Sequence, residues 1–161
     1  MILPKDSKVR PTTDKLRSAM FSILSDKVEG ARILDGFAGS GALGIEAISR
    51  GASFVFFADT NTEAVKSNTV KLDKSLYAIK KGNFLSGGFR GEYDIIFIDP
   101  PYGVISSDKI LETIAKESIL AENGVIVYEE FYKTPFSASS FQLTDERRYG
   151  DTVVRFLENK Q

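Results

Sequence analysis

Apolar positions change their period along this chain, and the changes mark out alternating helices and strands. Leu16, Met20, Ile23, Leu24 and Val28 recur at helical spacing behind a Thr12 or Thr13 cap, which predicts an amphipathic helix ended by Gly30. Arg32-Ile33-Leu34 reads as a short buried strand stopped at Asp35-Gly36, and Leu43, Ile45, Ala47 and Ile48 as a helix closed at Gly51. The unit then repeats. Phe54-Val55-Phe56-Phe57-Ala58 is a strand ending at Asp59, and Thr60 or Asn61 caps a helix through Ala64, Val65, Asn68 and Leu72. Leu76-Tyr77-Ala78-Ile79 is a weaker third strand, residues 82–91 with four glycines are loop, and Tyr93 to Ile98 is a fourth strand running into Asp99-Pro100-Pro101-Tyr102. A helix through Ile110, Leu111, Ile114 and Ala115 leads past Gly124 to a fifth strand, Val125-Ile126-Val127-Tyr128. The rhythm breaks at the end, where Phe141–Tyr149 and Thr152–Leu157 flank Gly150-Asp151 as a hairpin.

Strand and helix alternating every 30 residues or so imply parallel crossovers and a sheet covered on both faces. The expected architecture is a doubly wound α/β domain with a mostly parallel sheet of seven strands and a C-terminal antiparallel hairpin. With 161 residues, one domain is expected over 1–161, led by an extended arm at 1–11 that holds two prolines and no periodicity. Ligands of such sheets bind beyond the carboxyl ends of the strands, where Asp35, Asp59 and Asp99 are all expected to lie.

Two absences narrow the chemistry. With no Cys and no His, there is no thiolate or imidazole metal site, no cysteine nucleophile and no Ser-His-Asp triad. What remains is carboxylates, amides, hydroxyls, backbone dipoles or a cofactor that carries the reactivity. No metal is expected. No run approaches the ~20 apolar residues of a membrane span and the first residues lack a signal-peptide core, so a cytoplasmic protein is expected. The net charge is −1, but residues 1–32 carry seven basic side chains against four acidic ones, a basic edge suited to phosphate.

Three motifs carry function. Gly39-Ser40-Gly41-Ala42-Leu43-Gly44 follows a strand and opens a helix, with Asp59 about 20 residues on, the spacing of a dinucleotide fingerprint. Here, however, the strand ends in an acid, giving Asp35-Gly36-Phe37-Ala38-Gly39. That acid would repel a pyrophosphate and suits a ligand with a cationic amino group; the alternative is a tight turn with Asp35 as a capping acid. Asp99-Pro100-Pro101-Tyr102 places a carboxylate, a carbonyl acceptor and an aromatic face within four residues, since consecutive prolines cannot continue a ladder. This fits a planar heterocycle with an exocyclic amine. Arg10-Pro11-Thr12-Thr13-Asp14-Lys15-Leu16-Arg17 enters the first helix and suits a carboxylate or a phosphate. Gly82-Asn83-Phe84 could read an adenine edge or simply turn the chain. The pair Glu129-Glu130 reads as strand-end surface charge.

Taken in order and spacing, these segments closely resemble the bacterial RsmD-type family of S-adenosylmethionine-dependent methyltransferases, which act on the N2 amino group of a guanine in 16S ribosomal RNA. The resemblance spans nearly the whole chain, including Tyr149-Gly150-Asp151-Thr152. It implies a Rossmann-like methyltransferase domain with 16S rRNA or the small ribosomal subunit as partner. It implies that Arg10, Thr12, Thr13 and Arg17 face the methionine end of the cofactor, and that Asp35, Phe37, Gly39, Ser40 and Gly41 form the cofactor loop. Asp59 and Asn61 would lie at the ribose, Asn83 and Phe84 at adenine, and Asp99, Pro100, Pro101 and Tyr102 at the target base. Two further readings stand beside this one: an adenine-N6 DNA methyltransferase, which shares the Asp-Pro-Pro-Tyr motif, and a dinucleotide-binding oxidoreductase.

Overall fold

The structure is a computed structural model that describes residues 13–101 and 103–161. The expected arm at 1–11, with Arg10, and the candidate site residues Thr12 and Tyr102 lie outside the described residues. Seven strands form one sheet: β1 (Arg32–Asp35), β2 (Phe54–Asp59), β3 (Tyr77–Lys81), β4 (Tyr93–Ile98), β5 (Leu120–Phe131), β6 (Phe141–Tyr149) and β7 (Thr152–Asn159). Their order is β3-β2-β1-β4-β5-β7-β6. The first five run parallel, β7 runs antiparallel to both β5 and β6, and β6 therefore shares the direction of the parallel strands. The C-terminal hairpin thus inserts its second strand, not its first, beside β5. An all-parallel dinucleotide sheet has no such strand.

Four helices, α1 (Asp14–Leu24), α2 (Ala42–Ser49), α3 (Glu63–Thr69) and α4 (Ser107–Glu117), cover the sheet unequally. The pleat sends alternate residues to opposite faces, so Ile33, Ile95, Phe97, Val125 and Val127 pack under α1, α2 and α3. Leu34, Ile96, Ile98, Ile126 and Tyr128 pack on the other face under α4 and the aromatic loop that carries Phe84 and Phe89. Each such core side chain contributes about 1.5–3 kcal/mol by leaving water.

The helix starts follow their caps. Thr13 Oγ1 accepts from Leu16 N–H at 3.2 Å, as expected for the first helix. At α3 the cap is Thr62, without a side-chain bond, while the expected Asn61 turns the chain by accepting from Glu63 N–H at 3.1 Å. The loop at 82–91 contains a single 3-10 turn, Phe84–Ser86. β5 starts earlier than the apolar run indicates, because Leu120 already pairs with Tyr93 before the register breaks and resumes at Val125. Among the described residues no helix is long and apolar enough to cross a membrane.

Candidate active site

The strand order reverses between β1 and β4, and the carboxyl ends of β1, β2 and β4 bring Asp35, Asp59 and Asp99 to one edge of the sheet. A cleft of about 430 Å³ opens there, lined by Phe37, Asp59, Asn83, Phe84 and Pro101 among others. Five of the residues singled out by sequence therefore meet in one concavity. Gly36, at its floor, is required by space: a Cβ at this position would stand 2.8 Å from the Phe84 ring and 3.2 Å from the Phe97 carbonyl oxygen. Phe37 and Phe84 stack at 5.2 Å between ring centroids, and Phe84 leans on Phe89 at 5.0 Å.

Of the other cofactor candidates, Thr13, Arg17, Asp35, Gly39, Ser40, Gly41 and Asn61 do not line this cleft. Asp59 Oδ2 accepts from Gly39 N–H at 2.8 Å, and Oδ1 from Asn61 N–H at 3.2 Å, so this carboxylate fixes the glycine loop to the end of β2. Gly41 sits at φ 84°, where a side chain is strained, and a Cβ there would meet Val65 at 2.7 Å. Ser40 is buried, and its carbonyl accepts from the Asn68 amide at 2.9 Å. Asn61 is exposed. Asn83 Oδ1 accepts from Leu85 N–H at 2.9 Å, so the side chain lines the cleft while capping the 3-10 turn. Arg17 pairs with Asp14 at 2.5 Å and Glu46 at 3.7 Å, which ties α1 to α2.

Asp35 is the electrostatic outlier. It is 2% exposed, and its Oδ2 accepts from Gly44 N–H, in the first turn of α2, at 3.1 Å. Burial pushes its pKa up to about 7, the Gly44 N–H opposes that rise and the Asp59 carboxylate adds to it. Capping and a charge-sensitive site at the head of the loop thus coexist in one side chain.

On the other side of Asp99 the Asp-Pro-Pro turn borders a narrow recess lined by Pro100, Pro101, Ile105, Glu130, Phe131 and Thr134. Pro101 and Ile105 belong to both the cleft and the recess, so the two spaces share a wall. Of the two prolyl carbonyls offered as acceptors, that of Pro101 is taken within the chain: it accepts from Val104 N–H at 3.4 Å and closes the turn.

Glu129 and Glu130 correct the reading of strand-end surface charge, because both are buried. Glu130 Oε1 accepts from Arg155 Nη1 at 2.6 Å, and Arg155 Nε donates to Glu146 at 2.7 Å. Next to them the Tyr128 hydroxyl has no hydrogen-bond partner among the described residues, and burial, reinforced by the Glu130 carboxylate, pushes its pKa far up and keeps it protonated. The missed signal was Arg155 itself, a cation inside the apolar run Val153-Val154-Arg155-Phe156-Leu157, which needs a buried partner. Among the described residues no acidic cluster is arranged to hold a metal ion.

The whole constellation has relatives. Residues 1–158 match the family described as conserved hypothetical protein 95. The putative rRNA methyltransferase YlbH of Bacillus subtilis is 35% identical over 96% of this chain and 90% of its own length. The ribosomal RNA small subunit methyltransferase D of Escherichia coli K12 is 29% identical over 98% of this chain and 83% of its own length. Among solved structures, a putative methyltransferase yhhF from Escherichia coli superposes with a TM-score of 0.81 at 27% identity, covering 98% of this chain and 92% of that one. A putative methylase from Haemophilus influenzae gives a TM-score of 0.78 at 25% identity, over 94% and 92% of the two chains. The sheet order with its inserted antiparallel β7 is thus the Rossmann-like methyltransferase arrangement, and the chain belongs to the conserved hypothetical protein 95 family, the RsmD-type methyltransferases.

Proposed function

We propose that this protein transfers a methyl group from S-adenosylmethionine to the exocyclic N2 amine of a guanine in 16S ribosomal RNA. The observation that carries the reading is the place of the Asp-Pro-Pro turn: Pro101 lines a cofactor-sized cleft of about 430 Å³, and Pro100 and Pro101 border a small recess of about 10 Å³ beside it. The names of the relatives, a putative rRNA methyltransferase and a ribosomal RNA small subunit methyltransferase, support the substrate class.

The residues present fit the cofactor. The aromatic pair Phe37 and Phe84 offers a face to adenine, Asp59 keeps acceptor capacity beyond the three bonds it takes from Gly39, Thr60 and Asn61, and buried Asp35 favours a cationic amino group nearby. When bound, S-adenosylmethionine supplies an electrophilic methyl group on a sulfonium. Asp99 and the Pro100 carbonyl act on the other reactant. A guanine amine is a poor nucleophile because its lone pair is delocalised into the ring. Accepting both N–H bonds at Asp99 and Pro100 favours a pyramidal nitrogen whose lone pair points toward the cofactor cleft. Methylated nitrogen becomes cationic and strongly acidic, and its proton passes to the Asp99 carboxylate or to water. No imidazole or thiol is needed, consistent with a chain that has neither. Tyr102 would stack the base once it is drawn from its helix.

The test is transfer of labelled methyl to 30S subunits from cells lacking the guanine-N2 modification, with naked rRNA and DNA in parallel and nucleoside analysis of the product. Label in N2-methylguanosine is expected. Label in N6-methyladenine would keep the chemistry and replace the substrate.

A further inference from the structure

Cations near the C-terminal hairpin divide into two groups. Arg155 is consumed by Glu130 and Glu146, and Arg147 by Asp145 at 3.2 Å. Arg148 and Lys133 form no ion pair among the described residues. Both are exposed, and both lie against one aromatic ring: the Arg148 guanidinium stacks 3.5 Å above the Tyr132 ring centroid and Lys133 Nζ stands 5.6 Å from it.

The stack is built in place. Arg148 Nε donates to the Gly150 carbonyl at 2.8 Å, and Tyr132 N–H donates to the Asp151 carbonyl at 2.9 Å, which pins the segment after β5 to the hairpin turn. Phe131 packs edge-on against Tyr132 at 5.1 Å. Location then gives the stack its meaning. β5 lies parallel to β4, so Phe131 leaves the sheet at the same edge as Asp99. Phe131 and Thr134 both line the recess beside Pro100 and Pro101, so Tyr132 and Lys133 fall between two wall residues of that recess. The cofactor cleft lies on the opposite side, over β1 to β3.

We infer that Tyr132, Lys133 and Arg148 form a docking platform for the single-stranded RNA that flanks the target nucleotide. This rests on the reading of the substrate as RNA. A guanidinium held flat on an aromatic ring presents a π-surface with positive charge, which stacks a splayed base, while Lys133 neutralises the adjoining phosphate. An acidic peptide would use the charges without the stacking face. The platform therefore adds a grip on the β5–β7 side of the sheet, opposite the cofactor.

The test compares wild type with Tyr132→Ala, Tyr132→Phe and the double variant Lys133→Glu/Arg148→Glu. It measures steady-state methylation of 30S subunits and of an rRNA fragment, and anisotropy of a labelled single-stranded oligoribonucleotide at several salt concentrations. Expected are a KM for RNA raised about tenfold in Tyr132→Ala and in the double variant, kcat at saturating RNA within about twofold of wild type, and rescue by Tyr132→Phe. The double variant should also lower the salt dependence by roughly two counterions. Cofactor affinity and melting temperature serve as controls and should match wild type. Unchanged KM, oligoribonucleotide affinity and salt slope in correctly folded variants would overturn the platform. A loss in the double variant that Tyr132→Ala does not share would overturn the stacking role and leave a charge-only contact with the RNA backbone. The parent reading fails separately: wild type would then methylate no RNA.

Discussion

The two sides of the crevice hold their polar groups by different means. On the cofactor side, over β1 to β3, each acid or amide is satisfied by a backbone N–H: Asp35 by Gly44, Asp59 by Gly39 and Asn83 by Leu85. On the side of the Asp-Pro-Pro turn that borders the small recess, the buried acid Glu130 accepts from a side chain, Arg155, 25 residues on. A side chain that caps a loop fixes backbone and leaves lone pairs for a ligand. An ion pair fixes the wall itself. The first arrangement suits a mobile small molecule that enters and leaves; the second suits a rigid edge against which a macromolecule is docked.

The strongest way to separate the two sides is Asp99→Ala. If the amine is held at Asp99, this change should lower kcat for methyl transfer about 10³-fold while cofactor affinity stays near wild type, measured by single-turnover transfer and equilibrium binding. Retained turnover would remove Asp99 from the mechanism.

Next in size is the ion pair. Arg155→Met removes the guanidinium held 2.6 Å from the Glu130 carboxylate, which is 8% exposed at its side chain, and should destabilise the fold by about 3 kcal/mol in denaturant titration. Replacing Glu130 and Arg155 together by apolar residues should cost less than Arg155→Met alone, since the two buried opposite charges are then removed together.

That contrast also explains what the sequence disclosed. The loop acids of the cofactor side were legible because their partners are near in sequence: Asp35 and Gly44 are nine residues apart, Asp59 and Gly39 are twenty. Such fixed spacings are what a motif is. The fold class followed equally from local periodicity, and the seven strands lie close to where the apolar runs put them. The Glu130–Arg155 pair was missed because its two members sit on strands that become neighbours only through the insertion of β7 between β5 and β6. Alternation within a strand tells which residues share a face; it does not tell which strand lies alongside. Local periodicity likewise placed the hairpin at one side of the sheet without telling which of its two strands pairs with β5.

Gly36→Ala probes the packing that shapes the cofactor side. The added methyl meets the Phe84 ring at 2.8 Å, Ile98 Cδ1 at 3.0 Å and the Phe97 carbonyl at 3.2 Å; the backbone carbonyl is fixed, so the two side chains must give, the nearer Phe84 ring most. Overpacking of this kind costs about 1–3 kcal/mol, and the displaced Phe84 should also weaken cofactor binding while leaving RNA affinity unchanged. Thermal melts and the two binding measurements distinguish this from a general loss of fold.

The smallest expected effect is a proton. Asp35, held up to about 7, is neutral in the folded chain at pH 5, where an unfolded chain with the ordinary value of 3.8 ionises it. The stability this neutral form contributes is complete below about pH 4 and is lost as pH rises through 7. Asp35→Asn can still accept from Gly44 and does not titrate, so its melting temperature should gain on wild type between pH 5 and 8. Cofactor binding runs the opposite way. A cationic amino group beside Asp35 favours the ionised carboxylate, so wild-type affinity should rise about tenfold from pH 6 to 8 and then level, while Asp35→Asn stays flat. If wild type and variant share one pH profile, the Asp35 carboxylate is a cap for α2 and no part of the cofactor's amino-acid site, and the backbone-capped side of the crevice then binds its ligand through the Phe37–Phe84 stack and Asp59.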